Sequence, residues 1–201
     1  MENDIKNLLI DELHDLLSTE HQIIEALPKM VNAAESPKLK EAFESHLEET
    51  REQVRRLKRI FKLLKIEEKE KFCKATKGLI QDCKEVLTEF NKSSLRDAAL
   101  ISKVQRIEHY EISAYGSVRT FAKELHLKEV ADLLQETLEE EGNADKKLSK
   151  IAKGWMIVSG VNHKAHVSKD NPTVKKIKHH KKTTPITSKV AKKTKRVDRA
   201  A

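Results

Sequence analysis

Long apolar runs are missing from this 201-residue sequence. The longest uncharged apolar stretch lies around Gly154–Val161, far short of the roughly 20 residues that cross a bilayer. A membrane-spanning protein is therefore not expected. The opening MENDIKNLLIDELHD is interrupted by acids and has no apolar h-region, so no signal peptide is expected either. Cysteine is nearly absent: Cys73 and Cys83 lack CxxC spacing and have no histidine between them. That excludes a disulfide framework and a local zinc site, and it points to reduced thiols in the cytoplasm. Only 5 Gly and 4 Pro leave little material for turns or sheet, and an aromatic share of 4% makes the core aliphatic. No phosphate-cradling Gly loop and no Ser/His/Asp set is visible, which disfavours nucleotide and acyl chemistry.

What is present is charge, at 36% of residues, among abundant Lys, Glu, Leu and Ala, the composition of long helices. The net charge of +8 divides unevenly. Residues 163–201 carry 13 Lys and Arg against Asp170 and Asp198, a net +11, which leaves −3 for residues 1–162. The expected organisation is an all-α, ferritin-like four-helix bundle over 1–153, followed by a basic, Lys-rich, disordered tail over 154–201.

Four seams support the bundle. The first helix, about 4–34, sets Leu9, Leu13, Leu16, Glu20, Ile23, Leu27, Met30 and Ala34 at alternating spacings of four and three. Pro37 opens the second, about 37–65, with Leu39, Phe43, His46, Thr50, Gln53, Leu57, Ile60 and Leu64 in register. A long connection over 66–92 holds a short helix through Leu79, Ile80 and Val86. Ser94 with Asp97 reads as a capping box for the third helix, about 95–125, whose seam is Ile101, Val104, Glu108, Glu111, Tyr115, Val118 and Ala122. The fourth, about 128–153, carries Leu134, Leu138, Glu141, Asp145, Leu148 and Ala152. Two hairpins joined by a long crossover have ferritin-like connectivity.

Each stripe turns polar in its middle. With the first turn near Ser36, Glu20 lies 16 residues before it and Glu49 lies 13 after. With the second turn near His126, Glu111 lies 15 before and Glu141 15 after, while Glu108 and Asp145 lie 18 before and 19 after. At about 1.5 Å per residue these acids reach nearly one level in antiparallel helices. Such a cluster could not stay ionised without a cation. Oxygen-rich sites with an imidazole suit iron or manganese better than zinc or copper. His46, three residues before Glu49 on the same face, reads either as that imidazole or as a core histidine hydrogen-bonded to a neighbour. Glu139-Glu140-Glu141 is also a charge run of the kind that usually forms a solvated face.

Blocks along residues 18–22, 27–29, 46–50 (HisLeuGluGluThr), 78–80, 96–101 (ArgAspAlaAlaLeuIle), 108–116 and 133–141 resemble the YciE/YciF family of ferritin-like stress proteins. The resemblance covers about 10–152. It implies a homodimeric bundle with a two-metal centre and a ferroxidase-type role in stress. With the donor chemistry above, the expected cofactor is iron, with manganese second, and the expected oxidant is oxygen or peroxide. Carried over, the metal positions are Glu20, His46, Glu49, Glu108, Glu111, Glu141 and Asp145. One departure stands out. Where the wider superfamily places His three residues after Glu, this sequence has Glu52 after Glu49 and Ala144 after Glu141. The alternative function is non-enzymatic: a scaffold whose arm, residues 163–201, binds DNA or another polyanion without reading bases.

Overall fold

The computed structural model describes residues 4–69, 71–155 and 158–167, all within one compact unit, Met1–Asp170. The expected disorder of the tail beyond residue 167 lies outside the described residues. The helices are α1 (Ile5–Ala33), α2 (Pro37–Leu64), α3 (Lys74–Glu89), α4 (Ser94–Glu124), α5 (Lys128–Lys153) and α6 (Val161–Val167). Two two-residue strands, β1 (Gly154–Trp155) and β2 (Val158–Ser159), pair antiparallel between α5 and α6.

Helices α1, α2, α5 and α4 form the bundle: α1 packs on α2, α2 on α5, α5 on α4 and α4 on α1. The seams predict the buried faces well. Leu9, Leu13, Leu16, Glu20, Ile23, Leu27 and Met30 of α1 are all buried, and so is the α4 stripe from Ile101 to Ala122. Pro28 sits inside α1 without ending it, on the exposed side.

The N-cap of α4 is Ser93 and not Ser94: the Ser93 hydroxyl accepts from Arg96 N. Asp97 serves elsewhere. Its carboxylate accepts from Glu35 N at 2.9 Å and Ser36 N at 2.7 Å, so it holds the α1–α2 turn from another helix. Arg96 adds a bond from its guanidinium to Ala33 O. These contacts put the end of α1 beside the start of α4, so the two run antiparallel. Since α2 ends at the opposite end of the bundle, the crossover must climb its whole height. Helix α3 makes that climb against α1 and α4. Its fit is partly polar: the Thr19 and Thr76 hydroxyls meet at 2.9 Å, and Cys73 N donates to Ser18 Oγ. Cys73 and Cys83 are both buried free thiols.

The sequence reading ends the bundle at Lys153. In the structure α6 follows and lies against α4 and α5. Gly154, with φ at 84°, turns the chain out of α5. A Cβ on Gly160 would fall 2.2 Å from Gly154 N, so the two chain segments pass too closely for any other residue there.

The apolar interior forms two clusters. One gathers Ile23, Leu27, Met30, Leu39, Phe43, Ile101, Val104 and Leu148. The other gathers Leu9, Leu13, Leu16, Val54, Leu57, Phe61, Tyr115, Val118 and Leu134. Along every bundle helix the buried residues between them are polar, apart from Ala144 of α5.

Candidate metal centre

That polar layer contains Glu20 of α1, His46, Thr50 and Gln53 of α2, Glu108 and Glu111 of α4, and Thr137 and Glu141 of α5, all buried. His46, Glu108, Glu111 and Glu141 each bring a ligand-type atom to within 4.8 Å of the others. Three helices thus converge on one point. Glu20, from the fourth, is close enough to Glu141 for their charges to act on each other.

The electrostatics follow from crowding acids away from water. Burial first, and the Glu141 charge second, push the Glu20 carboxyl up to about 8. Burial also holds Glu108 and Glu111 well above the carboxylate range, with Glu141 raising both further. Burial would lower His46, but the Glu108 and Glu49 carboxylates outweigh it and lift the imidazole to about 10. Tyr115 Oη donates to Glu20 Oε1, and Gln53 Nε2 donates to Glu141 Oε1. Among the described residues, Glu20 Oε2, Glu141 Oε2, both oxygens of Glu108 and Glu111, and both ring nitrogens of His46 have no hydrogen-bond partner. His46 Nε2 stands 3.4 Å from Glu108 Oε1, an attraction not aligned as a hydrogen bond.

Buried polar atoms left open cost of order 1–3 kcal/mol each, more when charged. So many in one place need either protons or cations. The donor set, carboxylates with a single imidazole, fits hard or borderline divalent ions such as iron and manganese.

Two expected ligands lie apart from this cluster. Glu49 is 43% exposed, with Oε2 3.7 Å from His46 Nδ1 and Oε1 accepting from Ser45 Oγ at 3.1 Å. His46 in the first place holds the Glu49 carboxyl below its usual range. Asp145, 22% exposed, accepts from Gln105 Nε2 at 2.8 Å and lies 3.3 Å from His109. Conversely, Glu140 is not a free solvated acid. Arg56 clamps it with two bonds of 2.9 Å and bonds Thr137 at 2.7 Å, while Gln53 reaches it at 3.1 Å. The spacing of Gln53 and Arg56, three apart on one helix face, is the only sequence signal of that clamp.

A family model described as a domain of unknown function (DUF892) matches residues 4–165. The chain belongs to the DUF892 family. This DUF892 chain is 42% identical over 164 residues to Protein YciF of Escherichia coli (strain K12), covering 80% of this chain and 95% of that protein. The solved structure of the E. coli stress protein YciF matches with a TM-score of 0.71 at 40% identity, over 74% of this chain and 94% of that one. YcfI from Rhodopseudomonas palustris matches with a TM-score of 0.72 at 36% identity, over 76% and 99%. Both the resemblance to the YciE/YciF family and the all-α fold are borne out for this DUF892 chain. No helix among the described residues is long and apolar enough to cross a membrane.

Proposed function

We propose that the polar layer is a two-metal carboxylate centre, holding iron or, alternatively, manganese, in a stress-response protein. The observation that carries this reading is the convergence of His46, Glu108, Glu111 and Glu141, with buried donor atoms that make no hydrogen bond among the described residues. Charge supports the stoichiometry: with Glu20 the layer holds four carboxylates, and two divalent ions match four negative charges. Glu49 and Asp145 stand outside this ligand set.

Ferrous iron bound there would supply electrons for the reduction of dioxygen or peroxide, a ferroxidase-type role. The chain's own residues do the rest. Tyr115 and Gln53 fix Glu20 and Glu141 by occupying one oxygen of each and leaving the other open. Arg56 and Glu140 brace α2 against α5 beside them. The two apolar clusters keep bulk water out from above and below, which strengthens every charge interaction inside.

Elemental analysis of protein expressed with iron and with manganese tests the reading. About two ions per chain are expected, with loss in Glu111→Gln. A purified chain without transition metal under every condition overturns it.

A second, separable role concerns residues 163–201. Their net +11 supports a polyanion-binding arm, which would act beside the bundle and not through it. Homodimer assembly, implied by the family resemblance, belongs to the same proposal.

A further inference from the structure

We propose that the cleft between α2 and α5 is the entrance to the buried cluster, and that Glu49 captures the incoming cation at its rim. The inference rests on the metal-centre reading and adds a route to it.

The cleft is a cavity of about 130 Å³. His46 and Glu108 line it from within, and Glu49, Glu140, Asn143 and Lys147 line it nearer the surface. The inner pair are 6% and 1% exposed, and their nitrogens and oxygens lack hydrogen-bond partners. The cleft, walled partly by Phe43 and Leu148, therefore leads from solvent to ligand-type atoms that make no hydrogen bond among the described residues. A second hollow against His46 and Glu108 is only about 10 Å³, with walls that include Ile23, Leu27 and Val104. It is too small for a hydrated ion and offers it no oxygen on the way.

Among the acids of the cleft, Glu49 alone is both open to water and next to an inner ligand. It touches solvent over 43% of its side chain, and its Oε2 is 3.7 Å from His46 Nδ1. Glu140 is neutralised by Arg56 and further engaged by Gln53. Glu49 can thus replace one water of a hydrated cation and pass it inward to His46, which gives its proton to solvent through the cleft as it binds. Lys147, exposed on α5 in the same cleft, opposes that traffic by charge.

Metal-free full-length chain is mixed with Co(II), and the rise of the cobalt d–d absorption is followed by stopped flow. Glu49→Gln should slow the rise by about tenfold, the low end of the effect that charge lining a cleft has on on-rates. Lys147→Gln should speed it. Both should finish at the wild-type band shape and cobalt content. Loading of Glu49→Gln at the wild-type rate overturns the proposal. So does a lowered final cobalt content in that variant, which would make Glu49 a ligand. Wild-type chain that takes up no Co(II) at all would bring down the metal-centre reading itself, a result seen before any variant is compared.

Discussion

Tyr115 on α4 gives its phenolic hydrogen to Glu20 on α1, so the largest fully buried side chain of the bundle is tied to an acid of the candidate centre. The bond crosses between two helices and spans 95 residues of sequence. Tyr115→Phe leaves a buried Glu20 with both oxygens open. The bare protein should lose about 1–3 kcal/mol in urea unfolding. A midpoint unchanged from wild type would show that Glu20 finds another donor.

The metal-free bundle should become less stable as pH rises. Glu20 has a folded value of about 8, above its ordinary 4.5, so the folded state holds that proton more tightly than the unfolded chain. Its contribution is complete below pH 4.5 and disappears as pH passes 8. His46 acts in the same sense between 6.5 and about 10. Urea unfolding at pH 6 and pH 8.5 should therefore give a lower midpoint at the higher pH, and Glu20→Gln should flatten the difference. Metal binding should respond oppositely, because ligands must shed protons to coordinate.

Metal itself should stabilise the fold. At a free concentration about 100 times Kd the gain is about 2.7 kcal/mol. Glu108→Gln and Glu141→Gln should each weaken binding at least about tenfold, in the range seen for changes around metal ligands. Asp145→Asn, whose carboxylate is engaged with Gln105, should leave metal content unchanged. Isothermal titration with Mn(II) distinguishes these cases, and equal affinity in all three would dissolve the ligand assignment.

Asp97→Ala should separate stability from the centre. It removes a carboxylate accepting from two backbone N–H groups of the α1–α2 turn. A loss of about 2–3 kcal/mol is expected, as for hydrogen bonds to a charged group, without a change in metal stoichiometry. Differential scanning calorimetry and elemental analysis on the same sample check both halves.

The arm can be tested by a chain ending at Val167, which keeps α6 on the bundle. The full chain should retard DNA at low salt, and the shortened chain should not. If half the arm's cations touch phosphates, full-length affinity should fall with a log–log salt slope of roughly −5 to −6. Equal retardation by the shortened chain would assign binding to the bundle.

Much of this architecture was legible because a helix seam repeats every three and four residues. The stripe of α4 from Ile101 to Ala122 is buried as its spacing requires, acids included. Counting outward from the two turns brought Glu20, Glu108, Glu111 and Glu141 to one level, and they lie in the one polar layer. The counting fails on the seam at Asp145, which Gln105 holds away from the cluster, and one position off it. Glu49 and Glu140 both flank their stripes, yet one reaches solvent and the other is drawn onto Arg56. Periodicity sets where a Cα stands, while a long side chain chooses among partners on a neighbouring helix that the count does not see. Ser93 takes the cap in place of Ser94, and the Asp97 carboxylate, which the count assigns to that cap, bonds the α1–α2 turn.

The polar layer also sets how the fold can fail. Ile23 and Leu27 belong to one apolar cluster and Leu13 and Leu16 to the other, with Glu20 between them on the same helix. The bundle is two hydrophobic bodies threaded on four shared axles, with a waist that holds together only when its charges are satisfied. Bound cations would act there as a rivet. Without them each half can loosen alone, so amide exchange in the two halves should drift apart, and core substitutions in one half should add to those in the other without coupling.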